Sequence, residues 1–459
     1  MIRRTNWLLN SILASCLLLA AAGPTHALEI KRMTLTNGAT LLVSENHQLP
    51  MVTVAIALDA GSLHDPPGKA GLAMLTARCV NQGTQELSAT AFDEKVDFMG
   101  SSLFVSAEHD YATAGFTALK KYEKETLGLL AGILSSPGLR DADIDRKRAE
   151  QVAGIKAAEE EPGYIAAVAF AKGLYGDTPY GHPTTGTSDS VAKLSSDDVR
   201  NFYRDHYRLG SAVIAVAGDV DASEVKALLE KSLPGPGGTV AAQPQPAVPA
   251  LAAGLDIKLI DRNVQQANVM LGFVGIARSN PDYYKIQVMN YILGGGVFAS
   301  RLMKTVRSKA GLAYHVSSLF DARKFPGPFA VVLQTKNPSA NEAIKMVLQQ
   351  MRQMQESPVS DAELDNARKF LVGSFPLKID RQEQIAGFML EVELYGLGLD
   401  YADRYPKLIE SVTKQDVLGM ARKYLHPDDA LLVVVANQHD AAINTAMLNQ
   451  TASGASAGK

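Results

Sequence analysis

Cysteine is nearly missing from this chain of 459 residues, which has only Cys16 and Cys79. Cys16 falls in a leader expected to be removed, so no internal disulfide can form and a disulfide-stapled scaffold is excluded. Cys79 lies in an apolar helical stretch, where a small buried thiol is the ordinary outcome rather than a nucleophile. A basic excess is missing too. The net charge of −3 excludes the electrostatic footprint of a nucleic-acid binder. A stable membrane span is not expected either, because the apolar run near the start is short and leads into Gly23-Pro24. Histidine is sparse, and His109, His182 and His315 have no metal-ligand spacing; each reads as a satisfied structural histidine.

What is present is ordinary soluble-protein composition, 46% hydrophobic and 20% charged, in a chain longer than one core usually organises. Two or more domains are expected. The first 27 residues stand apart. Arg3 and Arg4 precede a run from Trp7 to Ala22, mostly Leu, Ile and Ala, and Thr25-His26-Ala27 supplies the small residues at −3 and −1 that signal peptidase accepts. The expectation is a cleaved secretory signal, which removes two arginines and no acids and brings the net charge to about −5. Leu13-Ala14-Ser15-Cys16 resembles a lipobox, but the apolar run continues past Cys16 to Leu19, which favours cleavage after Ala27 over lipidation.

The segment LPGPGGTVAAQPQPAVPALAAG, residues 233 to 254, is rich in Pro, Gly and Ala without a periodic apolar face and reads as a linker. It separates residues 28–235 from 255–447, with the linker itself at 236–254 and a tail, 448–459, expected to be disordered. Both halves show one order of signals. MTLTNGATLLVSEN is a hairpin around Asn37-Gly38, followed by the strand-like MVTVAIALDAGS. A helix begins near Lys69, SLFVSAEHDYATAGFTAL is strand-like again, and helices are expected from Tyr122 to Leu134 and Asp141 to Glu161. In the second half VQQANVMLGFVGI, YHVSSLFDA and GPFAVVLQTK read as strands, with helices from Asp282 to Ile292, Ser339 to Gln355 and Asp361 to Phe370. Grouped strands and grouped helices predict an α+β fold: two homologous α/β-sandwich halves, mostly antiparallel sheets with helices on one face, arranged like a clam.

Against that frame, GSLHDPPGKAGLAMLTARCVNQGT resembles the segment around the inverted zinc motif H-x-x-E-H of the pitrilysin (insulinase-like) metallopeptidases, a family that includes the mitochondrial processing peptidase. LYGDTPYGHPTTGT, ILGGGVFASRLMKTVRSKAGLAYHVSS, LVGSFPLKID and LYGLGLDY extend the resemblance in order over nearly all of the mature chain. With Gly71-Leu72-Ala73 and Gly83-Thr84 as anchors, the first histidine of the motif falls on Met74, the glutamate on Ala77 and the second histidine on Arg78. The third ligand, a glutamate in the family, falls on Gly154. Two histidines at i and i+4 share a helix face and bind one Zn²⁺, while the glutamate activates the metal-bound water. Here a thioether, a methyl, a permanent cation and no side chain at all stand in those places. The resemblance therefore implies a non-catalytic member that binds no zinc. Arg78 opposite Gly154 either fills part of the cation's space, paired with Glu150, or points to solvent.

The family pattern R-x-x-x-G-L-A-Y is complete as Arg307 to Tyr314. In relatives this pair approaches a zinc site from the opposite half and holds substrate carbonyls and the developing oxyanion; from the residues alone, surface and packing roles stay open. Leu293-Gly294-Gly295-Gly296-Val297 reads as a helix-ending turn. Peptide binding can also use a sheet edge through main-chain hydrogen bonds. The resulting expectation is a zinc-less subunit of a heteromeric periplasmic metallopeptidase, giving Arg307, Tyr314 and half of a chamber to a homologous partner that carries H-x-x-E-H and the zinc. The alternative is a peptide-binding or scaffold protein, self-associating, with no part in proteolysis.

Overall fold

The computed structural model describes residues 28–233 and 253–453, together with residues 238 and 245. The expected signal segment, most of the linker and residues 454–459 lie outside the described residues. Asn37-Gly38 does turn the chain between β1 (Lys31–Thr34) and β2 (Thr40–Glu45), which pair antiparallel. With β3 (Met51–Leu58), β4 (Ser102–Ala107), β5 (Ala112–Leu119) and β6 (Val213–Gly218) they build a six-stranded sheet, in the order β1-β2-β6-β3-β5-β4. The second sheet orders β7-β11-β8-β10-β9, from β7 (Leu255–Asp261), β8 (Gln266–Val274), β9 (Ala313–Phe320), β10 (Pro328–Lys336) and β11 (Ala430–Ala436). Only β2–β6 and β7–β11 are parallel. β4 and β9 are corresponding edge strands.

Strand alternation sends one set of side chains to each face. Val52, Val54, Ile56 and Leu58 of β3 pack with Leu75, Leu130 and Phe202 of their own half's helices. Val269, Leu271 and Phe273 of β8 do the same with Ile286, Ile344 and Phe388. The opposite faces are where the halves exchange helices. Ala55, Ala57, Ala215 and Ala217 of the first sheet receive Ile385, Ala386 and Met389 from the Gln382–Leu394 helix of the second half. In return, the Pro162–Tyr175 helix of the first half lays Ala166, Phe170 and Leu174 on Leu431, Val433 and Val435 of β11. Alanines of one sheet and the larger Leu and Val side chains of the other thus face the incoming helices. A buried leucine or phenylalanine in such a seam contributes roughly 2–3 kcal/mol, so the two halves stabilise each other.

Polar bonds pin the seam. Buried Asp110 accepts from the Tyr180 hydroxyl and, at 2.8 Å, from the Lys324 amide. Arg32 reaches Glu393 through two guanidinium nitrogens at 2.7–3.2 Å. The tail departs from expectation: a helix, Thr445–Ser453, covers its first part. Its cause is local, since Asn444 accepts from the Met447 amide at 2.9 Å and Leu448 is fully buried. Among the described residues no helix is long and apolar enough to cross a membrane.

Candidate functional site

The helix that begins near Lys69 spans Leu72–Val80. Its start is fastened by protein groups alone. Buried Asp65 accepts from the Gly71 and Ala73 amides, each at 2.8 Å, satisfying two of the helix's orphan donors. Burial outweighs these bonds and pushes its carboxyl up to about 7. Gly71 has φ 92°, and a Cβ there would stand 2.5 Å from the Thr185 carbonyl oxygen, so the position requires glycine. Gln151, buried on the Asp141–Ala158 helix, donates to the Gly71 carbonyl at 3.1 Å and to that of Thr185 at 2.8 Å. The two helices that carry the motif positions are thereby locked to each other.

On that scaffold Met74 and Arg78 are half-buried, one turn apart on one face, while Ala77 is fully buried. Gly154 is exposed on the neighbouring helix, and a Cβ there would meet nothing within 4 Å. This donor set does not fit zinc: it offers no imidazole or carboxylate, and the guanidinium opposes a cation. Among the described residues, no cluster of three or more His, Cys, Asp or Glu could hold a metal. Arg78 forms no ion pair among them. The pairing with Glu150 is not made, because Arg146 at 3.1 Å and Lys147 at 2.8 Å, on Glu150's own helix, already hold that carboxylate. Cys79 is buried and its thiol is pushed up to about 12, which removes the thiolate at neutral pH.

The second half keeps a different set. Arg307 lies half-buried in a π-helical stretch, Met303–Lys309, and its guanidinium carbon is 5.6 Å from the ring centre of Tyr314 on β9. Phe298, which motif spacing did not flag, has its ring centre 5.0 Å from the same guanidinium carbon. Tyr314 is 75% exposed and Phe298 66%, so both rings face solvent while each lies within cation–π range of the guanidinium. Arg307 has no acid partner among the described residues; its N–H donors are available. No bond or ring contact joins Arg307 or Tyr314 to Met74, Arg78 or Gly154 within this chain.

The three histidines have local partners. His109 meets the Ser62 hydroxyl at 3.1 Å, and burial holds it well below the usual histidine range. His182 donates to the Pro183 carbonyl at 3.0 Å, and His315 meets the Ser317 hydroxyl at 3.0 Å. Between the halves lies a cavity of about 340 Å³, walled by Phe170, Tyr180 and His182 on one side and Met270, Arg323 and Val332 on the other.

Comparison with known proteins agrees with this two-part geometry. The insulinase family (peptidase family M16) matches residues 40–188, and the peptidase M16 inactive domain matches residues 193–371. The non-peptidase homolog YmxG of Helicobacter pylori is 27% identical over 87% of this chain and 92% of its own. The uncharacterized zinc protease YmxG of Bacillus subtilis is 24% identical over 88% and 98%. A crystal structure of a peptidase M16 inactive domain from Pseudomonas fluorescens superposes with a TM-score of 0.83 at 28% identity, over 89% of this chain and 98% of that one.

Proposed function

The chain belongs to peptidase family M16, as an inactive homologue, and from that premise we propose that it is the zinc-less, non-catalytic subunit of a heteromeric metallopeptidase. It would be exported to the periplasm by its leader and work against a homologous subunit carrying H-x-x-E-H. The observation that carries this reading is the contrast between the two positions of interest: the motif helix holds no ligand, yet Arg307 stands with unpaired donors beside exposed Tyr314. A scaffold has no use for that arrangement. In such an assembly a metal held by the partner would supply the Lewis-acid chemistry that activates water. This chain's residues do the rest of the electrostatic work: the guanidinium and phenol hold the substrate carbonyl and the charge that develops on its oxygen.

The test is cleavage of a mixed-sequence peptide set by this protein, by its zinc-motif homologue and by both together, with zinc content measured in each sample. Activity confined to the mixture, with zinc only in the partner, supports the subunit reading. Association without any gain in cleavage supports the second reading, a peptide binder or scaffold. That reading draws on apolar side chains left open on sheet positions, Phe104 of β4 at 42% exposure and Leu319 of β9 at 60%.

A further inference from the structure

Two cavities adjoin the second sheet. The larger, about 540 Å³, opens where the Tyr283–Asn290 helix runs into a π-turn, Tyr291–Gly295, whose Gly294 presses on Ser318 of β9. The smaller is the seam cavity of about 340 Å³, and its form follows from how one helix crosses a sheet. The Pro162–Tyr175 helix lies over β11 and β8. A Cβ at Gly272 would stand 3.0 Å from the tip of the Phe170 ring, so the ring rests where β8 has no side chain. Strand alternation puts Met270 of β8 and Ala330 and Val332 of β10 on that same face, with Met270 and Val332 directly opposite each other. The sheet continues past the helix there, and Val332 is left 41% exposed. The cavity is the angle between the helix flank and this uncovered floor.

Its aromatic walls are tethered from outside. The Tyr175 hydroxyl donates to the Pro326 carbonyl at 3.1 Å and that of Tyr180 to Asp110, and the two buried rings meet edge to face at 5.7 Å. With their hydroxyls committed, they give the cavity ring surface only. The polar groups are few, and each has a valence to spare. His182 donates through Nδ1 to the Pro183 carbonyl at 3.0 Å. A carbonyl only accepts, so Nδ1 carries the proton and Nε2 of the neutral ring is an acceptor. Burial holds His182 below the usual histidine range, which keeps that lone pair at neutral pH. Arg323 gives Nε and Nη2 to one oxygen of Asp321, at 2.8 and 2.5 Å, and the pair cancels its own charge. An anion would meet the His182 lone pair and the Asp321 carboxylate, and a cation would meet the guanidinium; an uncharged molecule meets neither penalty. A volume of about 340 Å³ is at the low end for ligand pockets, which suits one compact molecule rather than a length of polypeptide.

We propose that the seam cavity binds a small uncharged aromatic molecule carrying a hydroxyl group, its ring against Phe170, Met270 and Val332 and its O–H donated to Nε2 of His182. Since the walls come from both halves, such a ligand also ties the halves together and raises the stability of the folded chain by mass action. Binding of this kind needs neither zinc nor a partner chain and goes beyond the subunit reading.

The experiment titrates the purified full chain with 2-naphthol at pH 7, followed by the probe's own fluorescence. Two counterparts are run beside it: 2-methoxynaphthalene, which keeps the rings and loses the donor, and 2-naphthoate, which carries a charge. Saturable binding of 2-naphthol is expected, about tenfold tighter than that of either counterpart, the usual worth of one hydrogen bond whose loss leaves its partner unpaired. Val332→Trp, at a solvent-facing strand position, fills the floor and should abolish binding. His182→Phe keeps a ring and removes the acceptor, and should weaken 2-naphthol about tenfold while leaving 2-methoxynaphthalene unchanged. Thermal melts of the ligand-free variants that match the parent confirm folding. No saturable binding of 2-naphthol overturns the proposal. So does binding that survives Val332→Trp, which places the probe elsewhere, as in the π-turn cavity. Equal affinity for 2-naphthol and 2-methoxynaphthalene overturns the hydroxyl assignment.

Discussion

The two halves share an architecture and have diverged at equivalent places. In the first, the helix after β3 is regular, sealed at its start by Asp65 and Gln151, and carries no histidine or carboxylate. In the second, the helix after β8 is broken by a π-turn, opens a cavity and leads to an arginine within cation–π range of two exposed rings. The lesson is that scaffold and chemistry are separable: one half retains the bonds that positioned a site without its ligands, and the other presents donors with nothing in this chain to act on.

The strongest way to break the comparison is to restore the lost chemistry. Met74→His, Ala77→Glu, Arg78→His and Gly154→Glu together should give about one tightly bound zinc per chain, with a binding free energy on the order of 10 kcal/mol. The open space at Gly154 and the shared face of Met74 and Arg78 motivate it. Elemental analysis after dialysis reads the outcome, and zinc-free protein would mean that the helices no longer hold the family's spacing.

Next in size is the seam that couples the halves. Phe170 is 2% exposed and belongs to the first half while packing on the second sheet. Phe170→Ala should cost about 3–5 kcal/mol, read as a shift of one common urea transition by circular dichroism. A second, separate transition that leaves one half at full stability would refute the coupling.

Asp65 gives a pH signature confined to the first half. An unfolded aspartate titrates near pH 3.9, whereas the folded group sits at about 7. Between these values the folded state binds more protons, so its contribution is present at low pH and is lost as pH rises through 7, by on the order of a few kcal/mol. Stability measured at pH 5 and 8 should differ in that direction, and Asp65→Asn should flatten the difference. The smallest effect is expected in the second half: Tyr314→Phe changes an exposed side chain and should move stability by less than about 0.5 kcal/mol in the same denaturation assay.

Much of this was legible in the residues, and what was not has identifiable causes. Asn37-Gly38 marks its hairpin because the turn needs one residue at positive φ, which Gly38 supplies at 99°, and the alternation in β8 and β10 reveals strands. The family resemblance placed Met74, Ala77, Arg78 and Gly154, as well as Arg307 and Tyr314. The exchanged helices were opaque. An apolar face on Pro162–Tyr175 or Gln382–Leu394 shows that a helix is buried, but not that its sheet lies in the other half. The π-turn was hidden because Gly294-Gly295-Gly296 equally describes a helix stop, and the close contact with Ser318 that selects Gly294 is long-range. Phe298 carried one faint signal, an aromatic residue directly after a glycine run, at a place where solvent exposure has to be explained.

The central claim is that Arg307 acts on a substrate bound in a partner's site. It is tested most directly by steady-state kinetics of the mixed subunits with Arg307→Ala in this chain. A fall in kcat of about 10²–10³-fold is expected, the usual cost of losing one oxyanion donor, with KM little changed. An active mixture whose kcat is untouched by Arg307→Ala would contradict it.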